Sequence, residues 1–238
     1  LAKTTQPEEA KTLAGQAVRI LIDVDKFVAK QSAEDALSFG NKVIEQAGRV
    51  IKNSEFAGSE TRKVMKTTAK LADTIIIAAG KVLVSQDGIE QEAILEKAGA
   101  VTKAASSLSA NVSKSGISLN IEKKVVLDVE DGEGVTLSGS LIASLVQEGI
   151  EKIELVVGSA VMTVPFDFSP SVGDSQTVEL RIKKIQVTDE IRNEMSQEQI
   201  NMLGTTSEMY EVELLIDGQK VSKFENSISV KIPYTLKA

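Results

Sequence analysis

From Pro7 to about residue 112, apolar residues return every three or four positions, which predicts amphipathic helices. The first stripe is Leu13, Ala17, Ile20, Leu21, Val24 and Val28, with Pro7 suited to a first helical turn and Glu8 and Glu9 favouring its dipole. A second helix starts from Ser32 as N-cap, with Asp35 three residues on in capping-box position. It carries Leu37, Gly40, Ile44, Ala47 and Ile51 and stops near Asn53. Ser59 caps a third, with Val64, Met65, Thr68, Leu71, Ala72, Ile75, Ile76 and Ala79 on one side; Gly80 ends or bends it, the alternative being that Val82 to Val84 extend it by a turn. Gln86-Asp87-Gly88 reads as a turn, and the fourth helix carries Ile89, Ala93, Ile94, Ala98, Val101, Ala105, Leu108 and Val112. Roughly 22–26 residues each, near ~35 Å at 1.5 Å per residue, the four predict an antiparallel up-down bundle.

Ser and Gly then accumulate, which predicts a linker near residues 112–116, and beyond it the period becomes two. Strands are expected at Ile117–Ile121, Val125–Val129 and Val135–Leu137. A short helix follows, capped by Ser138 or Ser140, carrying Leu141, Ile142, Leu145 and Val146 and stopped by Gly149. Ile153–Val157 and Val161–Phe166 read as a hairpin over Gly158-Ser159, with Pro165 at its end. After a loop at Ser169–Ser175 come a strand at Val178–Val187 and a helix at Asp189–Leu203. A hairpin over Asp217-Gly218 and a last strand at Ile228–Ile232 complete the pattern. The fold class is therefore α+β: a helical bundle over 1–115, then a β-rich domain with two short helices over 116–238.

Charge divides along the same line. Residues 1–115 carry 16 basic against 14 acidic side chains, and residues 116–238 carry 11 against 20. An acidic surface repels phosphates and anionic lipid, so neither nucleic acid nor membrane is an expected partner. No apolar run approaches the ~18 residues of a membrane span. The chain opens without Met and without a signal-peptide pattern, as expected of a mature or excised portion of a longer protein.

The sequence contains no His and no Cys. That removes the Ser-His-Asp triad, the Cys-His dyad, thiolate chemistry and the usual zinc sites. Asp167 and Asp174, in the Ser/Pro/Gly loop, are a weaker candidate pair of oxygen ligands for calcium, and carboxylate pairs in general could hydrolyse glycosides. With aromatics at 3% and no Trp, however, sugar-stacking platforms are scarce. Gly80-Lys81 lacks the upstream glycine of a phosphate-binding loop. Lys123-Lys124 and Lys183-Lys184 read as solvated faces of half-buried strands. The densest acidic stretch offers Asp128, Glu130, Asp131 and Glu133 beside Gly132 and Gly134. These are candidate oxygen ligands for calcium, although the spacing is not that of an EF-hand, and a solvated acidic turn is the competing reading. No cofactor other than calcium is implied, and the chain is expected not to be an enzyme.

Two stretches carry a family resemblance. The first is Val135-Thr136-Leu137, Leu141-Ile142, Leu145, Gly149-Ile150, Ile153-Glu154-Leu155 and Ala160 to Pro165. The second is Tyr210 to Leu214, Ile216 to Phe224 and Ser229 to Lys237. Together they resemble the β-rich domain that often precedes S-layer homology repeats in secreted, cell-wall-associated Gram-positive (Firmicutes) proteins, over about residues 117–238. The resemblance implies an extracellular, wall-associated location and a non-catalytic structural or interaction role. Its partners would be another surface protein or a cell-wall polymer, engaged through regions beyond Ala238, where that family continues into its wall-anchoring repeats. The alternative function is an extracellular ligand- or partner-sensing domain.

Overall fold

The computed structural model describes residues 7–53, 58–85, 90–114, 119–130, 132–166, 172–198, 200, 208–221 and 227–232. These form a mixed α/β structure with six helices and two sheets. The helices are α1 (Pro7–Val28), α2 (Ala33–Asn53), α3 (Gly58–Gly80), α4 (Gln91–Lys114), α5 (Gly139–Gln147) and α6 (Asp189–Glu194). Strands β1 (Lys81–Val84), β2 (Lys124–Val129), β4 (Lys152–Val157), β5 (Ala160–Pro165) and β9 (Ser229–Lys231) form one sheet in that order. Strands β3 (Gly134–Ser138), β6 (Thr177–Gln186), β7 (Glu208–Ile216) and β8 (Gln219–Lys220) form the other. No helix among the described residues is long and apolar enough to cross a membrane.

The chain divides into two compact units. The first takes in Leu1–Val82, Gln91–Val126 and Leu145–Lys152, and the second Leu83–Glu90, Leu127–Ser144 and Ile153–Ala238. In the first, α3 packs against α1, α2 and α4, and α2 packs in addition against α1 and α4. Part of each expected stripe enters the core here: Leu21, Val28, Ile44, Leu71, Ile75, Ile76, Ile94 and Leu108 are buried, whereas Leu13, Ala17, Val24 and Leu37 are half-buried and Ile20 is exposed. The α1–α2 connection is short because Ser32 caps α2 as expected. Its hydroxyl donates to Asp35 Oδ2 at 2.8 Å and accepts from the Asp35 N–H at 3.3 Å. Polar groups also anchor this core. Buried Asp25 of α1 accepts from Lys70 Nζ at 2.6 Å and from the Thr74 hydroxyl, both on α3.

In the second unit β6 pairs antiparallel with β3 (Gly134↔Arg181 to Ser138↔Thr177) and with β7 (Val178↔Ile216 to Gln186↔Glu208). Alternation sets the faces: Val178, Leu180 and Ile182 are buried, and Arg181 and Lys183 are exposed. The β7–β8 turn has Asp217 at φ 49° and Gly218 at φ 75°, the left-handed pair a tight hairpin requires. β5 pairs antiparallel with β9, Val161 facing Lys231.

Several boundaries differ from expectation. Val82–Val84 do not extend α3 by a turn. β-branched residues on either side of Leu83 form β1, with Val82 and Val84 buried and Leu83 61% exposed. α3 begins at Gly58, so Ser59 lies in its first turn, where its hydroxyl bonds to the Glu60 carboxylate. Residues 119–123 form no strand despite their alternation, and β2 starts at Lys124. The helix expected over Asp189–Leu203 is interrupted after Glu194: Met195 is extended (ψ 145°), and helical residues resume at 197, where Ile200 N–H donates to Ser196 O at 3.0 Å. α4 runs to Lys114, into the expected linker. Residues 115–116 lie outside the described residues, as do the turn at 86–88 and positions 201–203 of the longer helix.

Candidate functional site

α1 carries more apolar surface than its core contacts cover. Ala14, Leu21 and Val28, seven residues apart, are buried, whereas Ile20 and Phe27, also seven apart, are 59% and 51% exposed. Two apolar stripes therefore run along one helix, and only one faces the core. The second meets α2 across a groove of about 690 Å³, lined by Ile20, Asp23, Val24, Phe27 and Gln31 from α1 and by Asp35, Ser38, Phe39 and Lys42 from α2. Both sets follow helical spacing, so the lining is two facing stripes rather than a loop-built cavity.

Phe27 and Phe39 meet edge to face across the groove, centroids 5.4 Å apart and planes at 66°. Such a pair contributes about 0.5–1.5 kcal/mol beyond its buried area. Two of the chain's six phenylalanines are thus held together at the surface. The groove's position on α1 is fixed from behind by Asp25, whose bonds to Lys70 and Thr74 set the rotation of α1 against α3. At the capped turn, Gln31 Nε2 donates to the Phe27 carbonyl at 3.4 Å and Asp35 is held by Ser32. The rim charges Asp23 and Lys42 are exposed, and among the described residues neither has an ion-pair partner.

The acidic candidates are dispersed by comparison. Asp128 is half-buried in β2, and Glu130 and Glu133 are exposed on either side of Gly132 (φ 134°). Their backbones serve the fold: Glu130 N–H donates to Val84 O at 3.3 Å, and Glu133 O accepts from Ile182 N–H at 2.6 Å. Asp131 lies outside the described residues. Among those residues, no three Asp or Glu come together to hold a metal. Asp174 is exposed and Asp167 lies outside the described residues. Lys183 and Lys184 are exposed as expected. Lys124 is not solvated: it is 5% exposed, and its ammonium pairs with Asp73 at 2.8 Å.

An ionic ladder crosses the four-stranded sheet, linking Arg181 to Glu179 and to Glu213, and Lys220 to Glu213 and Glu211. The hydrogen bond from Lys220 holds the Glu213 carboxyl below its usual range, and Glu213 in turn raises Lys220. These groups lie at the surface and satisfy one another, so the ladder serves the sheet rather than chemistry.

No protein-family model, curated protein or solved structure matches the chain. The groove is therefore read from its own chemistry. It presents aromatic and aliphatic side chains beside a few charged and polar ones. Sequence reading missed Phe27 and Phe39. The available signal was the second seven-residue stripe, Ile20 and Phe27, beside the Leu21 and Val28 stripe.

Proposed function

We propose that the chain is a non-catalytic interaction module of a secreted bacterial cell-surface protein. In this reading α1–α4 act as an antiparallel bundle that presents a docking face, and the acidic β-rich part acts as a spacer or assembly element of the S-layer-associated kind. The observation that carries it is the exposed Phe27–Phe39 groove. Large aromatic side chains in a concave apolar setting are the typical anchors of protein recognition. The absence of His and Cys from the sequence, and the surface-protein pattern over residues 117–238, support the same reading.

The groove volume also falls in the range of small-molecule sites, about 300–1,000 Å³, which favours ligand sensing as the second reading. One experiment addresses both. Purified chain is mixed with Gram-positive cell-wall sacculi, with the surface proteins stripped from them, and with the small-molecule filtrate, and binding is measured by sedimentation and calorimetry. Retention by the protein fraction, reduced at least tenfold in a Phe27→Ser/Phe39→Ser variant, is the expected result. Heat of binding from the filtrate alone would favour sensing, and retention indifferent to both phenylalanines would overturn the docking role.

A further inference from the structure

We infer that the α1–α2 groove takes an amphipathic helix from a protein partner, one that brings a basic residue to Asp23 and an acidic residue to Lys42. The inference rests on the interaction-module reading and specifies its occupant. Its first support is shape. The groove is lined from two facing helices, by Ile20, Val24 and Phe27 of α1 and by Asp35, Phe39 and Lys42 of α2, each set at spacings of three, four or seven residues. A groove with that periodicity accepts side chains projecting at the same spacing, as the apolar face of a third helix does. An extended strand, with side chains alternating every second residue, does not match it.

Its second support is charge. Asp23 on α1 and Lys42 on α2 stand on the rim with no ion-pair partner among the described residues. The other carboxylate of the groove, Asp35, is already engaged by Ser32. A negative and a positive charge on different helices orient an incoming helix, since reversing it would place like charges together. The third support is that the groove is already built: Phe27 and Phe39 are paired and the turn beside them is capped, so little ordering is required on binding.

The test is a displayed library of helix-forming peptides of about 18 residues, roughly five turns, randomised on one face and its flanks. It is selected on the whole chain and counter-selected on the Phe27→Ser/Phe39→Ser variant, whose circular dichroism should match the wild type because both rings are substantially exposed. The expected result is enrichment of apolar residues at i, i+3 or i+4 and i+7, with one flanking base and one flanking acid. Synthesised winners should bind at least tenfold more weakly to Asp23→Lys, and exchanging the peptide's base for an acid should restore the affinity. No enrichment over the serine variant, or enrichment of alternating extended sequences, overturns the helical occupant. Sedimentation equilibrium supplies the other arm: self-association abolished by the serine pair would make a second copy the occupant and overturn this inference, while leaving the interaction module standing. Indifference of every readout to Phe27 and Phe39 would overturn both.

Discussion

Gly40 stands where α2 crosses α3, and a Cβ built there would fall inside the terminal carbons of Ile75, itself fully buried. The obstruction is the end of a flexible side chain, so Gly40→Ala should fold but strain the contact. We expect a loss of about 1–3 kcal/mol, the usual range for overpacking, read from the urea midpoint at unchanged m-value. Asp217 is a different kind of single-residue control. Its carboxylate accepts from Thr177 N–H at 2.8 Å and from Gln176 Nε2 at 2.9 Å, and the first of these bonds leads in holding its pKa below the ordinary value. A lowered folded-state pKa gives stability that is present above the unfolded value, near ~4, and is lost as pH falls through the folded one. Asp217→Asn, which keeps the turn and one acceptor, should therefore be less stable than wild type at pH 7, with the gap closing in acid. A gap independent of pH would assign the loss to turn geometry instead. For Asp128, Glu130, Asp131 and Glu133 we expect millimolar calcium to leave the melting temperature unchanged against chelator. A rise of several degrees would make the acidic stretch a native-state calcium site by mass action.

Elements whose signals are local were legible from the sequence, and those set by partners were not. Ser32 with Asp35 announced the start of α2. Gly149 announced the end of α5, where it sits at φ 80° while Gly149 N–H bonds to Val146 O and Ile150 N–H to Leu145 O. Those two bonds make a Schellman close, which needs a left-handed residue. Gly149→Ala should cost about 1–2 kcal/mol, the penalty of that conformation for an L side chain, and should appear as a lowered thermal midpoint with retained helical signal. By contrast, Val82–Val84 and residues 119–123 have similarly ambiguous patterns. The first became a strand because it lies beside β2, and the second, outside either sheet, did not. The β-branched Val82 and Val84 favour a strand, and pairing with β2 completes it. The same logic hid the groove. Ile20 and Leu21 are equally good core residues in sequence, and only the rotation of α1, held by Asp25 on Lys70 and Thr74, decides that Leu21 goes in and Ile20 stays out.

At the scale of the whole molecule, the missing residue types set how stability responds to pH. With neither His nor Cys, the chain has no side chain whose ordinary pKa lies between about 5 and 8. The resolved shifts extend that silent window. Glu60, Glu213 and Asp217 are all lowered, by a hydrogen bond from Ser59, by one from Lys220 and by the Thr177 N–H respectively, and Lys220 is raised by Glu213. For the three carboxylates the unfolded chain binds more protons than the folded one as pH falls past ~4.5, so stability declines on that side. For Lys220 the contribution is complete below about 10.4 and is lost only as pH climbs through its raised value. The expected profile is thus a plateau of urea midpoints from about pH 6 to 9, with an acid limb below. Because Asp217 and Lys220 are exposed and Glu60 and Glu213 are only half-buried, both limbs should flatten in high salt as these charges are screened. A slope inside the plateau would require a carboxylate or lysine driven into the neutral range. Such a group would be the first physical sign of acid–base chemistry in this chain, and it would count against the non-catalytic reading directly.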